Sequence, residues 1–294
     1  MKPSESIFVN IRGLRYHVRS WGNPDAPKIF LLHGWWDMSA SYQYVVDALQ
    51  HDWHVLAPDW RGSGLTQWAE SGAYWFNDFL GDLDRLLHHF QPDAPVNLAA
   101  HSMSFNVASV YAGIRPERIR RFVNIDCYGF RTLKTEDVKG RYRTWLATFD
   151  NTAEERSYDS VEQFAARLAK QTHFSTPERA LFIATHLTRA RDDGRFVLRC
   201  DPAQRDPARL LIYNGSIRFE EAMDCWRQVT APLLWISAVD SNTRDMIGAS
   251  EAEIAERQAC FSRLTFKAIR QAGHMVHQEQ PEILAAALEE HFLT

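Results

Sequence analysis

Cysteine is scarce in this chain: Cys127, Cys200, Cys225 and Cys260 are the four in 294 residues. Their wide spacing fits neither a zinc site nor a redox pair. A core of this size needs no covalent staples, so free thiols in a reducing compartment are expected. A charge excess is also lacking. The formal net charge is −4, and Lys and Arg are scattered rather than clustered. That argues against nucleic acid or an anionic membrane as a partner. The opening MKPSESIFVN has no basic start followed by an apolar run, unlike a signal peptide. No apolar stretch reaches the length of a membrane span. A soluble, cytoplasmic protein is expected. Its partner should be a small-molecule substrate, with neither cofactor nor metal. A homodimer is left open.

What the chain does contain is an alternation of short apolar runs and longer segments of helical period. Ile7 to Ile11 and Leu14 to Ser20 read as a hairpin around Arg12-Gly13. KIFLL from Lys28 to Leu32 is a continuous apolar run, as expected of a strand buried on both faces. Further strands are expected at Trp53 to Ala57, Val96 to Ala100, Phe122 to Ile125, Leu233 to Ser237 and Leu264 to Ile269. Helices should fill the intervals: about Ser41 to Gln50, the segment after Ser102, Ser250 to Ala259, and a last one opened by Pro281. The clearest spans residues 74–90, where Phe76, Phe79, Leu80, Leu83, Leu86, Leu87 and Phe90 recur at three- and four-residue steps. Strand and helix in alternation imply a parallel sheet with helices on both faces. The alternation breaks from about Cys127 to Val229, where helical periods occur but no good strand. The expected organisation is therefore a core of residues 1–126 and 230–294, interrupted by a helical cap at 127–229.

Chemistry concentrates at strand ends. Val96 to Ala108 reads as an apolar strand, a sharp turn at His101-Ser102, and a helix. That geometry lifts a serine hydroxyl above the sheet edge and aims a helix N-terminus at it. Serine is a weak nucleophile at its free pKa and needs a base. His274, beside Gly273 and between a strand and a helix, fits that need; His277 is a rival. The base needs an orienting carboxylate. Asp240, after the strand begun by Pro232, is the first choice. Asp245 in the same loop and Asp126 at the end of the preceding core strand are alternatives.

Four motifs now stand in order: His33-Gly34-Trp35-Trp36, Asp59-Trp60-Arg61-Gly62-Ser63-Gly64, the turn at Ser102, and Gly273-His274. With them the chain resembles the α/β-hydrolase superfamily, in the branch with a helical cap. It is similar there to bacterial and serine-hydrolase-like carboxylesterases. The resemblance implies a mostly parallel eight-stranded sheet flanked by helices, with the cap inserted after the sixth core strand. It implies a triad of Ser102, Asp240 and His274, whose order along the chain, Ser, Asp, His, is the one this fold uses. It also implies an oxyanion hole from the backbone N–H groups of Trp35 and Met103. The expected activity is hydrolysis of a small to medium apolar or aromatic ester through an acyl-enzyme.

One departure stands out. The usual G-x-S-x-G-G turn is here Ala100-His101-Ser102-Met103-Ser104-Phe105. Ala100 and Ser104 are still small, whereas Phe105 replaces a second glycine and questions the local packing. Trp36, His33, Trp60, His101 and Phe105 are candidates for the substrate pocket. Asp59 and Arg61 read as a structural turn pair, and Asp37 and Ser104 as capping groups. Alternatives on the same scaffold are cleavage of carbon–carbon or amide bonds by the same triad. Another is cofactor-free dioxygenation of an N-heteroaromatic ring by a His–Asp pair, which would use Asp126 and leave Asp240 idle. Epoxide hydrolysis and dehalogenation need a carboxylate nucleophile, which Ser102 is not.

Overall fold

The structure is a computed structural model that describes residues 1–70, 72, 74–130, 138–149, 155–205 and 217–294. Its first strands, β1 (Ser4–Ile11) and β2 (Leu14–Trp21), form the expected hairpin. Arg12 and Gly13 between them both have positive φ, as a two-residue hairpin turn requires. The core strands that follow are β3 (Lys28–Leu32), β4 (His54–Pro58), β5 (Val96–His101) and β6 (Ile119–Ile125). Three short strands come next: β7 (Ser157–Tyr158), β8 (Thr188–Ala190) and β9 (Phe196–Leu198). The last two, β10 (Leu233–Ala238) and β11 (Leu264–Ile269), return to the core.

Eight of these make one sheet in the order β1-β2-β4-β3-β5-β6-β10-β11. β2 pairs antiparallel with both its neighbours, and every later pairing is parallel. The apolar runs are buried on both faces because each strand feeds two cores with a period of two. Phe30 and Leu32 of β3 enter one cluster, Ile29 and Leu31 the other. Leu233 and Trp235 of β10 join the first, Leu234 and Ile236 the second. Helices Phe76–Phe90 and Met103–Ile114 cover the first face, and Gln43–Ala48 and Pro281–Leu293 the second. Parallel strands carry their C-terminal ends to one edge, so Ser102, Asp126 and the loops after β10 and β11 share that edge.

Between β6 and β10 the described residues carry helices Val138–Ala147, Val161–Gln171, Pro177–Leu187 and Phe219–Arg227. Contrary to expectation, they also carry a three-stranded antiparallel sheet in the order β7-β9-β8. Strands of two or three residues are too short to show alternation, so sequence periodicity passes over them. The parts of the expected cap at 131–137, 150–154 and 206–216 lie outside the described residues.

Candidate active site

Ser102 stands between the end of β5 and the helix Met103–Ile114, with φ 53° and ψ −124°. A serine in that strained conformation is characteristic of a nucleophile turn, because ordinary strand or helix geometry would not expose the hydroxyl. The turn fits because Gly34 passes beside it. A Cβ on Gly34 would lie 2.9 Å from both Ser102 Cβ and His101 Nδ1. Met103 begins the helix, where a backbone N–H has no intrahelical acceptor. Phe105 is fully buried, its ring stacked on Phe122 at 5.5 Å and edge-on to Trp235 at 5.4 Å. The glycine departure is thus absorbed by an aromatic core.

His274, on the loop after β11, brings its Nε2 to 2.9 Å from Ser102 Oγ. Its Nδ1 lies 2.8 Å from Asp126 Oδ2. The carboxylate at the imidazole is therefore that of Asp126, and the choice of Asp240 is corrected. Register explains why. Ile125 pairs with Ile236, so Asp126 is level with Ser237, while Asp240 lies three residues beyond in an exposed turn. Asp245 is likewise exposed, in the short helix Thr243–Ile247. The loop after β10 contributes donors instead of an acid. Asp126 is fully buried and accepts from the Ala238 N–H at 3.0 Å, Ser241 Oγ at 2.6 Å, Thr243 Oγ1 at 3.0 Å and His274. Four donors satisfy a carboxylate that burial would otherwise penalise.

A model of the alpha/beta hydrolase family matches residues 29–287. The chain belongs to the alpha/beta hydrolase family. A serine hydrolase-like protein of Danio rerio is 25% identical over 275 residues, covering 91% of this chain and 82% of the relative. Among solved structures, a thioesterase domain from the curacin biosynthetic pathway superposes with a TM-score of 0.86. It is 20% identical, with 97% of this chain and 99% of that one covered. E-2-(acetamidomethylene)succinate hydrolase gives a TM-score of 0.78 at 22% identity, covering 99% and 100%. The family and its serine hydrolase-like members support a hydrolase.

In this alpha/beta hydrolase most of the proposed pocket residues are core. His33, Trp60, His101 and Phe105 are all buried, and Trp36 alone of the five is exposed, at 46%. Trp60 donates its Nε1–H to the His33 carbonyl at 3.0 Å and its backbone N–H to His33 Nε2 at 3.0 Å. Ser104 bonds the same carbonyl. These contacts hold the loop that bears Trp35. The expected Asp59–Arg61 turn pair is also corrected. Asp59 accepts from His17 Nδ1 at 2.7 Å, and Arg61 pairs with Asp82, Nε to Oδ2 at 2.6 Å. A lone turn aspartate cannot reveal which distant strand will face it.

Sequence reading missed Ser241 and Thr243, whose only signal is two hydroxyl residues just past a strand end. It also missed a buried group behind the site. His277 Nε2 lies 2.9 Å from Asp37 Oδ2, and His277, Asp37 and His101 are each at most 1% exposed. The rival base is thereby withdrawn from the surface.

Proposed function

We propose that this chain is a serine hydrolase, acting on carboxylic esters with small to medium apolar or aromatic groups. One observation carries the reading: Ser102 Oγ, both nitrogens of His274 and Asp126 Oδ2 form a continuous chain of 2.9 and 2.8 Å contacts. Ser102 gives its proton to His274 Nε2 as Oγ forms a bond to the ester carbonyl carbon. Asp126 holds Nδ1–H, which fixes the tautomer that leaves Nε2 free to accept, and stabilises the imidazolium that results. The carbonyl oxygen, now an oxyanion, is received by the N–H groups of Met103 and Trp35. Collapse expels the alkoxide, which takes the proton from Nε2. Water then repeats the sequence on the acyl-enzyme and frees the acid. The same triad could cut an amide or a carbon–carbon bond, and substrate profiling distinguishes these.

A fluorophosphonate probe should label Ser102, and wild type should hydrolyse p-nitrophenyl butyrate. Ser102→Ala should abolish labelling and lower turnover by about 10⁴-fold or more. Absence of labelling in folded wild type would overturn the reading. A second reading is favoured by one feature, the use of Asp126 with an idle Asp240. A His–Asp pair alone could deprotonate an N-heteroaromatic substrate for cofactor-free dioxygenation. Oxygen uptake with a hydroxyquinolone that survives Ser102→Ala would establish it.

A further inference from the structure

The residue before the nucleophile reaches the backbone of the base. His101 Nε2 lies 2.8 Å from the His274 carbonyl oxygen. A carbonyl can only accept, so Nε2 carries the proton and His101 Nδ1 is a bare lone pair. Among the described residues that buried nitrogen has no hydrogen-bond partner, and Gly34 passes beside it. The ring is buried and packed, 4.6 Å from the His274 ring and 4.7 Å from the His277 ring. His277 is itself fixed by Asp37 at 2.9 Å and by the Tyr42 ring at 4.9 Å. Asp37 accepts in addition from Ser41 Oγ at 2.9 Å.

We propose that His101, wedged by the Asp37–His277 pair, is a positioning residue that fixes the spacing between nucleophile and base. It acts as a strut from the backbone beside Ser102 to the backbone of His274. The proposal rests on the triad reading. Among the described residues, the other hydrogen bonds of His274 itself run through its side chain, to Ser102, Asp126 and Thr243. Burial, reinforced by the neighbouring imidazoles of His274 and His277, lowers the His101 pKa well below its ordinary value. The strut therefore stays neutral, and does not oppose the positive charge that His274 acquires during the reaction.

His101→Phe keeps a ring of similar shape but removes the donor; His101→Gln keeps a donor. The measurements are kcat and KM with p-nitrophenyl butyrate and the second-order rate of fluorophosphonate labelling. His101→Phe should lower kcat and labelling by about 10- to 100-fold, as a misplacement of under 1 Å would, with KM within about twofold. His101→Gln should recover most of the loss. A role in packing alone predicts the reverse ranking, and wild-type kcat in folded His101→Phe would overturn the proposal. ¹⁵N-histidine NMR of the wild-type protein gives a readout independent of turnover. A neutral His101 protonated on Nε2 supports the strut, and a proton on Nδ1 overturns it. If His101→Phe fails to fold, His101→Gln and the NMR signal still decide. Wild type that neither labels nor turns over sinks the hydrolase reading, while the NMR result stands on its own.

Discussion

Asp126 has φ 48°, a left-handed conformation uncommon for a residue other than glycine. That turn carries its carboxylate from the end of β6 to the His274 imidazole. Asp126→Asn should leave the fold intact and lower kcat by about 10⁴-fold, because the amide favours the wrong imidazole tautomer. Asp240→Asn should stay within about twofold of wild type, since an exposed side chain with no role in the site has little to lose. Steady-state kinetics on the two variants distinguishes the carboxylates, and the opposite ranking would overturn the assignment. The choice was hard to read from sequence for a physical reason. A parallel sheet delivers every strand's C-terminal end to the same edge, so both aspartates satisfy the chain order. Register decides between them, and register is a property of the paired strands. Ser102 and His274 were legible because sharp turn, strand and helix are local signals. Gly34 offers a second test at this scale. Gly34→Ala places a Cβ 2.9 Å from Ser102 Cβ and His101 Nδ1. Overpacking of this kind typically costs about 1–3 kcal/mol. Both the melting temperature and kcat should fall, and an unchanged kcat would show that the turn tolerates the shift.

Among the elements, the turn after β4 ties several separate pieces of chain together. Asp59 accepts from His17 Nδ1 at 2.7 Å, the Ser39 N–H at 2.6 Å and the Leu65 N–H at 2.8 Å. Burial alone would raise its pKa; the hydrogen bond and charge of His17, with smaller help from His33 and Leu65, outweigh it and hold the carboxyl at about 2. The folded pKa lies below the ordinary 3.8, so the ionised carboxylate contributes stability above about pH 4. That contribution, on the order of 2 kcal/mol, is lost as pH falls toward 2. Urea melts of wild type and Asp59→Asn should therefore converge between pH 5 and pH 2; a pH-independent gap would contradict the pairing. Arg61, two residues on, is held by buried Asp82 through Nε at 2.6 Å and a second nitrogen at 2.9 Å. Asp82→Ala should cost about 3 kcal/mol in the same melts, because it removes the two-point partner of a buried guanidinium and leaves it Asp78 at 3.5 Å. Asp82 sits on the apolar face of helix Phe76–Phe90, whose period was plain in sequence. The main partners of Asp59 and Asp82 were not, because His17 and Ser39 lie 42 and 20 residues from Asp59, and Arg61 lies 21 from Asp82. Segments joined by such contacts are visible only after folding.

At the scale of the whole molecule, the site and the part of the insertion that carries β7, β8 and β9 rest on different cores, while helix Phe219–Arg227 joins the first large cluster. Ser102 and Asp126 end adjacent strands, β5 and β6, buried between two large clusters. Helices Val161–Gln171 and Pro177–Leu187, with β7 and β9, form a third, smaller cluster. It meets the rest through Met38 and Ala40, just past the loop that bears Trp35. Apolar burial sets how much each unit resists opening, and the smaller cluster buries less. The periodicity that revealed the large core is the same property that stabilises it: strands apolar at every position are legible because both their faces are covered. That part of the insertion has half-covered helices and strands of two or three residues, so it is weakly legible and weakly buttressed for one cause. In hydrogen–deuterium exchange, amides of helices Val161–Gln171 and Pro177–Leu187 should exchange faster than those of β5 and β6, by on the order of 10- to 100-fold. Fluorophosphonate labelling in rising urea should be lost with the β5 and β6 amides, because Ser102 and Asp126 directly follow those strands. Equal protection of the two regions would mean that the insertion and the sheet open as one unit. Loss of labelling ahead of the β5 and β6 amides would mean that the loop contacts through Met38 and Ala40, and not the strands, are the weakest support of the site.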